Sequence, residues 1–144
     1  MPAINPYLNF DGNTREAMEY YHSIFGGEAP HFMTFGDSDP EGKVSADEKD
    51  RIMHTSIKIG ENTLMASDTS PSYGNKLQMG NNVYISVNAD SREDADKYFN
   101  QLSQGGEIEM PMEDMFWGDY FGSTKDKFGV MWMISYTNPA ANQG

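Results

Sequence analysis

Apolar and polar residues alternate over Tyr7-Leu8-Asn9-Phe10 and again over Tyr84-Ile85-Ser86-Val87, the two-residue period of a half-buried strand. A helical period follows each of these strands. Ala17, Tyr21, Ile24 and Phe25 fall on one stripe, and Ala95, Tyr98, Phe99 and Leu102 fall on another. Asn13 with Glu16 and Asp90 with Glu93 have the spacing of a capping box, which places a helix start at each. Gly26-Gly27 and Gly105-Gly106 end the two stripes with residues that accept positive φ at little cost. Three further strand candidates follow each helix: about 29–35, 52–59 and 63–67, then about 107–112, 117–124 and 130–136.

Each half therefore reads β-α-β-β-β, and the halves align. When Tyr7 is laid on Tyr84, Thr14-Arg15-Glu16 meets Ser91-Arg92-Glu93 and Tyr21 meets Tyr98. Gly26-Gly27-Glu28 then meets Gly105-Gly106-Glu107 after a short insertion. An internal duplication explains this order of signals. It predicts one α+β domain over 1–144, with module one over about 1–69, a linker over about 70–81 and module two over about 82–137. The charged, Gly/Pro-containing stretch from Asp37 to Arg51 reads as a flexible loop, and either it or the linker is a candidate lid.

Composition narrows the partners. The chain has 144 residues, enough to bury a core without cross-links. It has no cysteine, which removes disulfides, zinc knuckles and thiol catalysis together. No apolar run approaches the roughly 20 residues of a membrane span. Met1-Pro2-Ala3-Ile4-Asn5-Pro6 has neither a basic nor an apolar leader region, so a cytoplasmic setting is expected. With 22 acidic and 10 basic residues the formal charge is −12, a field that repels phosphate backbones and anionic lipid. Nucleic acid and membrane are therefore not expected partners.

Several segments carry a family likeness: Asn5 through Asn13, Ala17 through Tyr21, Ile24-Phe25-Gly26-Gly27, Met53-His54, Ile59-Gly60 and Leu64 through Asp68. Phe116-Trp117-Gly118, Tyr120-Phe121-Gly122 and Asp126-Lys127-Phe128-Gly129 leading to Trp132 continue it. In this order they resemble the PhnB-like branch of the vicinal-oxygen-chelate (glyoxalase/bleomycin-resistance) superfamily, some of whose members are labelled 3-demethylubiquinone-9 3-methyltransferase. The resemblance implies two tandem βαβββ modules forming a curved mixed sheet around a cavity, the glyoxalase/bleomycin resistance/dihydroxybiphenyl dioxygenase fold. It also implies a homodimer.

In that fold the helices cover one face of the sheet and the other face lines the cavity. Alternation then assigns residues to faces. Leu8, Phe10, Ile85, Val87, Thr55, Ile57 and Ile59 go to the helices. Tyr7, Asn9, Tyr84, Ser86, His54, Ser56, Met65, Ser67, Met131 and Met133 go to the cavity. Trp117 and Tyr120, from an unusually aromatic segment, are candidates for a flat wall, and the eleven methionines suit an irregular one. The expected ligand-binding set is Tyr7, Asn9, His54, Ser56, Met65, Ser67, Tyr84, Trp117, Tyr120 and Met133, with His54 the candidate acid or base. Asp68 could anchor a polar substrate or form a turn, and Glu113 and Asp114 are candidates for the rim.

Metal-dependent members of the superfamily take one ligand from the first and one from the last strand of each module. Here those positions fall on Pro6 or Tyr7, Met65, Val83 or Tyr84, and Met133. Pro and Val cannot ligate, and thioethers are poor ligands for hard divalent ions. No metal and no cofactor is therefore expected. Nor does a G-x-G-x-x-G turn follow any strand, as a nucleoside-dependent methyltransferase would need. Two readings remain: a binding protein for a small, partly aromatic molecule, and an enzyme using His54, Tyr7 or Asp68 on a carbonyl-type substrate, with a metal held by His54 and a carboxylate as a variant.

Overall fold

The first strand finds a parallel neighbour far along the chain. In the computed structural model, which describes residues 2–39, 42, 44–73 and 76–137, β1 (Tyr7–Phe10) lies parallel to β4 (Asn62–Asp68). Between them in sequence come α1 (Thr14–Phe25), β2 (His31–Thr34) and β3 (Ile52–Ile59). Strand β3 pairs antiparallel with both β2 and β4, so the order is β1-β4-β3-β2. The chain divides into two compact units, Met1–Gln78 and Met79–Gly144. The second unit repeats the topology with β5 (Ile85–Asn88), α2 (Arg92–Ser103), β6 (Glu107–Asp114), β7 (Asp119–Lys125) and β8 (Met131–Thr137). Its order is β5-β8-β7-β6, with β5 parallel to β8. The architecture is α+β, with one βαβββ motif in each unit.

Each helix is held by an apolar stripe. In α1, Ala17, Met18, Tyr21 and Ile24 are buried, and Met18 joins the expected stripe while Phe25 stays half-buried. They meet the sheet face that carries Phe10, Thr55, Ile57, Leu64 and Ala66. In α2 the buried residues are Ala95, Phe99 and Leu102, against Trp132, Ile134 and Thr124. Each large apolar side chain so buried contributes about 1.5–3 kcal/mol relative to exposure.

The helix starts differ from the capping boxes. Asn13 makes no side-chain cap hydrogen bond. The N-terminus of α1 is instead capped from the far end of β4, by the buried carboxylate of Asp68. Its Oδ1 accepts from Thr14 N (3.0 Å), Thr14 Oγ1 (2.7 Å) and Gly12 N (2.9 Å), and its Oδ2 accepts from Ile52 N (2.8 Å). Gly12 stands at φ +95°, a backbone conformation that a residue with a Cβ adopts only under strain. In unit two the cap falls one residue later than Asp90: Ser91 is extended, and its hydroxyl accepts from Asp94 N at 3.0 Å. The second unit has its own buried carboxylate, Asp126. It accepts from Phe128 N (2.8 Å), Val130 N (3.0 Å) and the Trp132 indole (2.8 Å), which ties the β7–β8 turn to the core.

The stretch expected as a flexible loop, 37–51, is partly structured where it is described; residues 40, 41 and 43 lie outside the described residues. Short 3-10 turns occupy Gly36–Ser38 and Ala46–Glu48. Glu48 is buried and accepts from the hydroxyls of Ser45, Ser70 and Ser72 and from Ser72 N. Residues 74 and 75 of the expected linker likewise lie outside the described residues, and Pro71–Tyr73 form a third 3-10 turn.

Replacing Asp68 by alanine strands buried backbone donors from three segments, so urea unfolding should show a loss of about 3 kcal/mol. A loss below about 1 kcal/mol would contradict this role. The hydroxyl of Ser72, foremost, then that of Ser45, the Ser72 N–H and the Ser70 hydroxyl hold the Glu48 carboxyl below its ordinary value, against the opposing effect of burial. Its contribution to stability is therefore present above the unfolded carboxyl range and lost as pH falls through the lowered folded value. Carbon-detected titration should place the Glu48 midpoint below that of an exposed glutamate, and S72A should move it upward. An unmoved midpoint would contradict the assignment.

Candidate ligand-binding face

Pairing register brings the candidates of unit one onto one side of the sheet. Tyr7 lies beside Met65, Met65 beside Ser56, and Ser56 beside His31, forming one row across β1, β4, β3 and β2. Alternation puts Asn9, Ser67, His54 and Met33 on the same side, opposite the buried Phe10, Ala66 and Thr55. The Ser67 hydroxyl donates to Asn9 Oδ1 at 3.3 Å. All six candidates of this unit thus share the face turned away from α1.

The closest polar approach on that face joins Tyr7 to His54. The phenolic oxygen lies 3.2 Å from His54 Nδ1, with ring centroids 5.8 Å apart. Beside His54 the face opens into a depression of about 450 Å³ lined by His31, Phe32, Met33, Asp37, His54 and Ser56. Met33 is 44% exposed, an apolar surface among polar groups. His31 and Ser56 make no side-chain hydrogen bond among the described residues. The sequence pointed to His54 and Ser56 but not to His31, Met33 or Asp37. His31 and Met33 share a parity on β2, yet only the register with Ser56 and His54 brings them beside those residues.

Asp68 is 2% exposed with its lone pairs filled by Gly12, Thr14 and Ile52, so it caps a helix rather than facing a ligand. Asp114 is held by a two-pronged pair to Arg92, at 2.8 and 2.9 Å. The guanidinium keeps that carboxyl below its usual range.

Unit two departs from expectation around its aromatic segment. Ser86, Met133 and Ser123 form a row on the face away from α2. Tyr84 precedes β5, and its phenol donates to the Glu109 carboxylate at 2.9 and 3.1 Å, which holds its pKa above the ordinary phenol value. The strand expected at 117 begins at Asp119. Trp117 therefore sits in the β6–β7 turn, its indole donating to Asp119 at 3.0 Å and its ring edge-on to the exposed Phe116. Tyr120 does not belong to the ligand face. Its phenol donates to Asp96 of α2, and the Arg92 guanidinium stacks 3.8 Å from its ring centroid. Strand parity instead gives Phe121 to the side of Ser123 and Met133.

Tyr7 and Met65 are lateral partners, Met133 pairs with Ser86, and the Tyr84 phenol is engaged by Glu109. A phenol and thioethers do not fit the hard divalent ions that the superfamily's usual carboxylate and imidazole ligands hold. Among the described residues, no three His, Asp or Glu side chains gather as a metal cluster.

A family model described as 3-demethylubiquinone-9 3-methyltransferase matches residues 2–135. The chain belongs to that family. It is 30% identical to protein YjdN of Escherichia coli (strain K12), over 97% of this chain and 99% of that protein. It is 42% identical to protein PA1353 from Pseudomonas aeruginosa, with a TM-score of 0.83, covering 95% of this chain and 98% of that one. A glyoxalase-related enzyme from Fulvimarina pelagi shares the fold at 14% identity and a TM-score of 0.64, over 96% and 90% of the two chains.

The placement of Tyr120 against α2 predicts a purely structural phenotype. Y120F should lower unfolding free energy by about 1 kcal/mol, the worth of a part-exposed hydrogen bond. Its ligand affinity should match wild type, and a selective loss of affinity at unchanged stability would return Tyr120 to the binding face.

Proposed function

We propose that this protein binds a small, partly aromatic organic molecule on the unit-one face, without the metal usual to its superfamily. The depression of about 450 Å³ beside the Tyr7–His54 contact carries this reading. Such a site, part apolar and with a few convergent polar groups, is what a small-molecule pocket requires. The donor chemistry at Tyr7, Met65, Tyr84 and Met133 supports the metal-free part of the reading. The family's descriptive name speaks of methyl transfer. Against that, each sheet has a single parallel strand pair and no glycine-rich strand-to-helix turn for a nucleoside cofactor.

Thermal-shift and native mass spectrometry screens over aromatic and antibiotic libraries should return ligands whose affinity falls about tenfold, or about 1.4 kcal/mol, in H54A. Elemental analysis of protein purified without chelators should show no stoichiometric metal. An empty screen, undiminished binding by H54A, or a full equivalent of metal would each contradict the proposal.

The 3.2 Å approach of Tyr7 to His54 favours one further reading, acid–base work on a carbonyl-type substrate. It would show as product formed from a bound ligand, with turnover lost in H54A and Y7F. Ligand returned unchanged after prolonged incubation would exclude it.

A further inference from the structure

The geometry points to Tyr7 as the positioning residue that sets the tautomer of His54, so that the face offers an N–H to the carbonyl oxygen of an uncharged ligand. This deepens the binding reading above and rests on it. A neutral imidazole carries one N–H and one lone pair, and which nitrogen holds the proton is decided by its partners. Here one partner is in place: the Tyr7 phenol, 3.2 Å from Nδ1. A phenol is a stronger acid than a neutral imidazole N–H, and an sp² ring nitrogen is a better acceptor than a phenolic oxygen. The phenol therefore donates, Nδ1 keeps its lone pair for that bond, and the ring proton resides on Nε2.

The position of the depression fixes where that proton faces. Tyr7 stands on β1 and is not part of the depression's wall, whereas His54 is, together with His31, Phe32 and Met33 of β2 on the opposite side of β3. With Nδ1 committed toward β1, the far edge of the ring, with Nε2–H, borders the depression. Ser56, two residues along the same strand face, adds a hydroxyl with no other partner among the described residues. Both groups suit an oxygen acceptor. The Asp37 carboxylate on the same wall, within a chain of net charge −12, weighs against an anion, and the exposed Met33 suits an apolar body. The ligand class is thus an uncharged carbonyl compound with an apolar or aromatic part. In this state His54 gives a hydrogen bond to the ligand. Taking one through Nε2 requires the tautomer to reverse.

Two-bond proton–nitrogen correlation spectra of histidine-labelled protein, at about pH 8.5 and above the ordinary imidazole range, test this directly. His54 is expected as the Nε2–H tautomer; an Nδ1–H pattern would overturn the assignment. In Y7F the His54 pattern should shift toward Nδ1–H while His22 and His31 keep theirs, and an unchanged His54 would remove Tyr7 from the role. Millimolar acetophenone should then move the His54 Nε2–H resonance more than equimolar benzoate does. A larger effect of benzoate, or none from acetophenone, overturns the ligand class and leaves the tautomer standing. An empty library screen instead strikes the binding reading itself, whatever the tautomer.

Discussion

The Asp68 carboxylate at the end of β4 reaches three places at once: the β1–α1 turn at Gly12, the first residue of α1 at Thr14, and the start of β3 at Ile52. It sits where the parallel β1–β4 pair ends, in register with Phe10. A carboxylate at 2% exposure is tolerable only because four donors surround it, and the same four donors would be stranded without it. It fixes where α1 begins, and the apolar stripe of Ala17, Met18, Tyr21 and Ile24 then decides which side of the sheet α1 covers. The opposite side, carrying Tyr7, His54 and Ser56, is thereby left open. Unit two reaches a similar end by other means, with Ser91 capping α2 and Asp126 holding the turn beneath Trp132.

Most of the architecture was legible in the sequence because it is written in short-range periodicity. The expected strand 52–59 coincides with β3, the α2 stripe contains all the buried residues of that helix, and the α1 stripe contains three of its five, missing Thr14 and Met18. The duplication made the topology legible, because each half read the same way. Capping was less legible. Asn13 and Glu16 have the right spacing, but a residue 54 positions later takes the Thr14 N–H, and no local pattern announces a long-range cap. In unit two a serine next to the expected aspartate has the extended backbone that an N-cap needs.

Faces in unit one followed from alternation, since β4 pairs with β1 and β3 in unbroken register and one side is apolar. In unit two the aromatic segment obscured the strand start. Trp117 fell in a turn, and Tyr120 paired with an acidic and a basic residue of α2, a polar helix contact that hydrophobic patterning does not register. His31, Met33 and Asp37 became part of the site through register with β3 and through the turn after β2. That information lies in tertiary contacts, not in spacing. The resulting face combines imidazoles, hydroxyls and thioethers, a chemistry suited to hydrogen-bonded recognition of an organic molecule more than to coordination of a hard ion.

The most direct measurement is a high-resolution crystal structure of protein purified from cells without chelators and soaked with the best ligand from a screen. The account predicts ligand density against Tyr7, His54, Ser56 and Met33, with a ligand oxygen within hydrogen-bond distance of His54 Nε2 and no metal peak. A metal ion coordinated on this face, or ligand density elsewhere with the face empty, would contradict it.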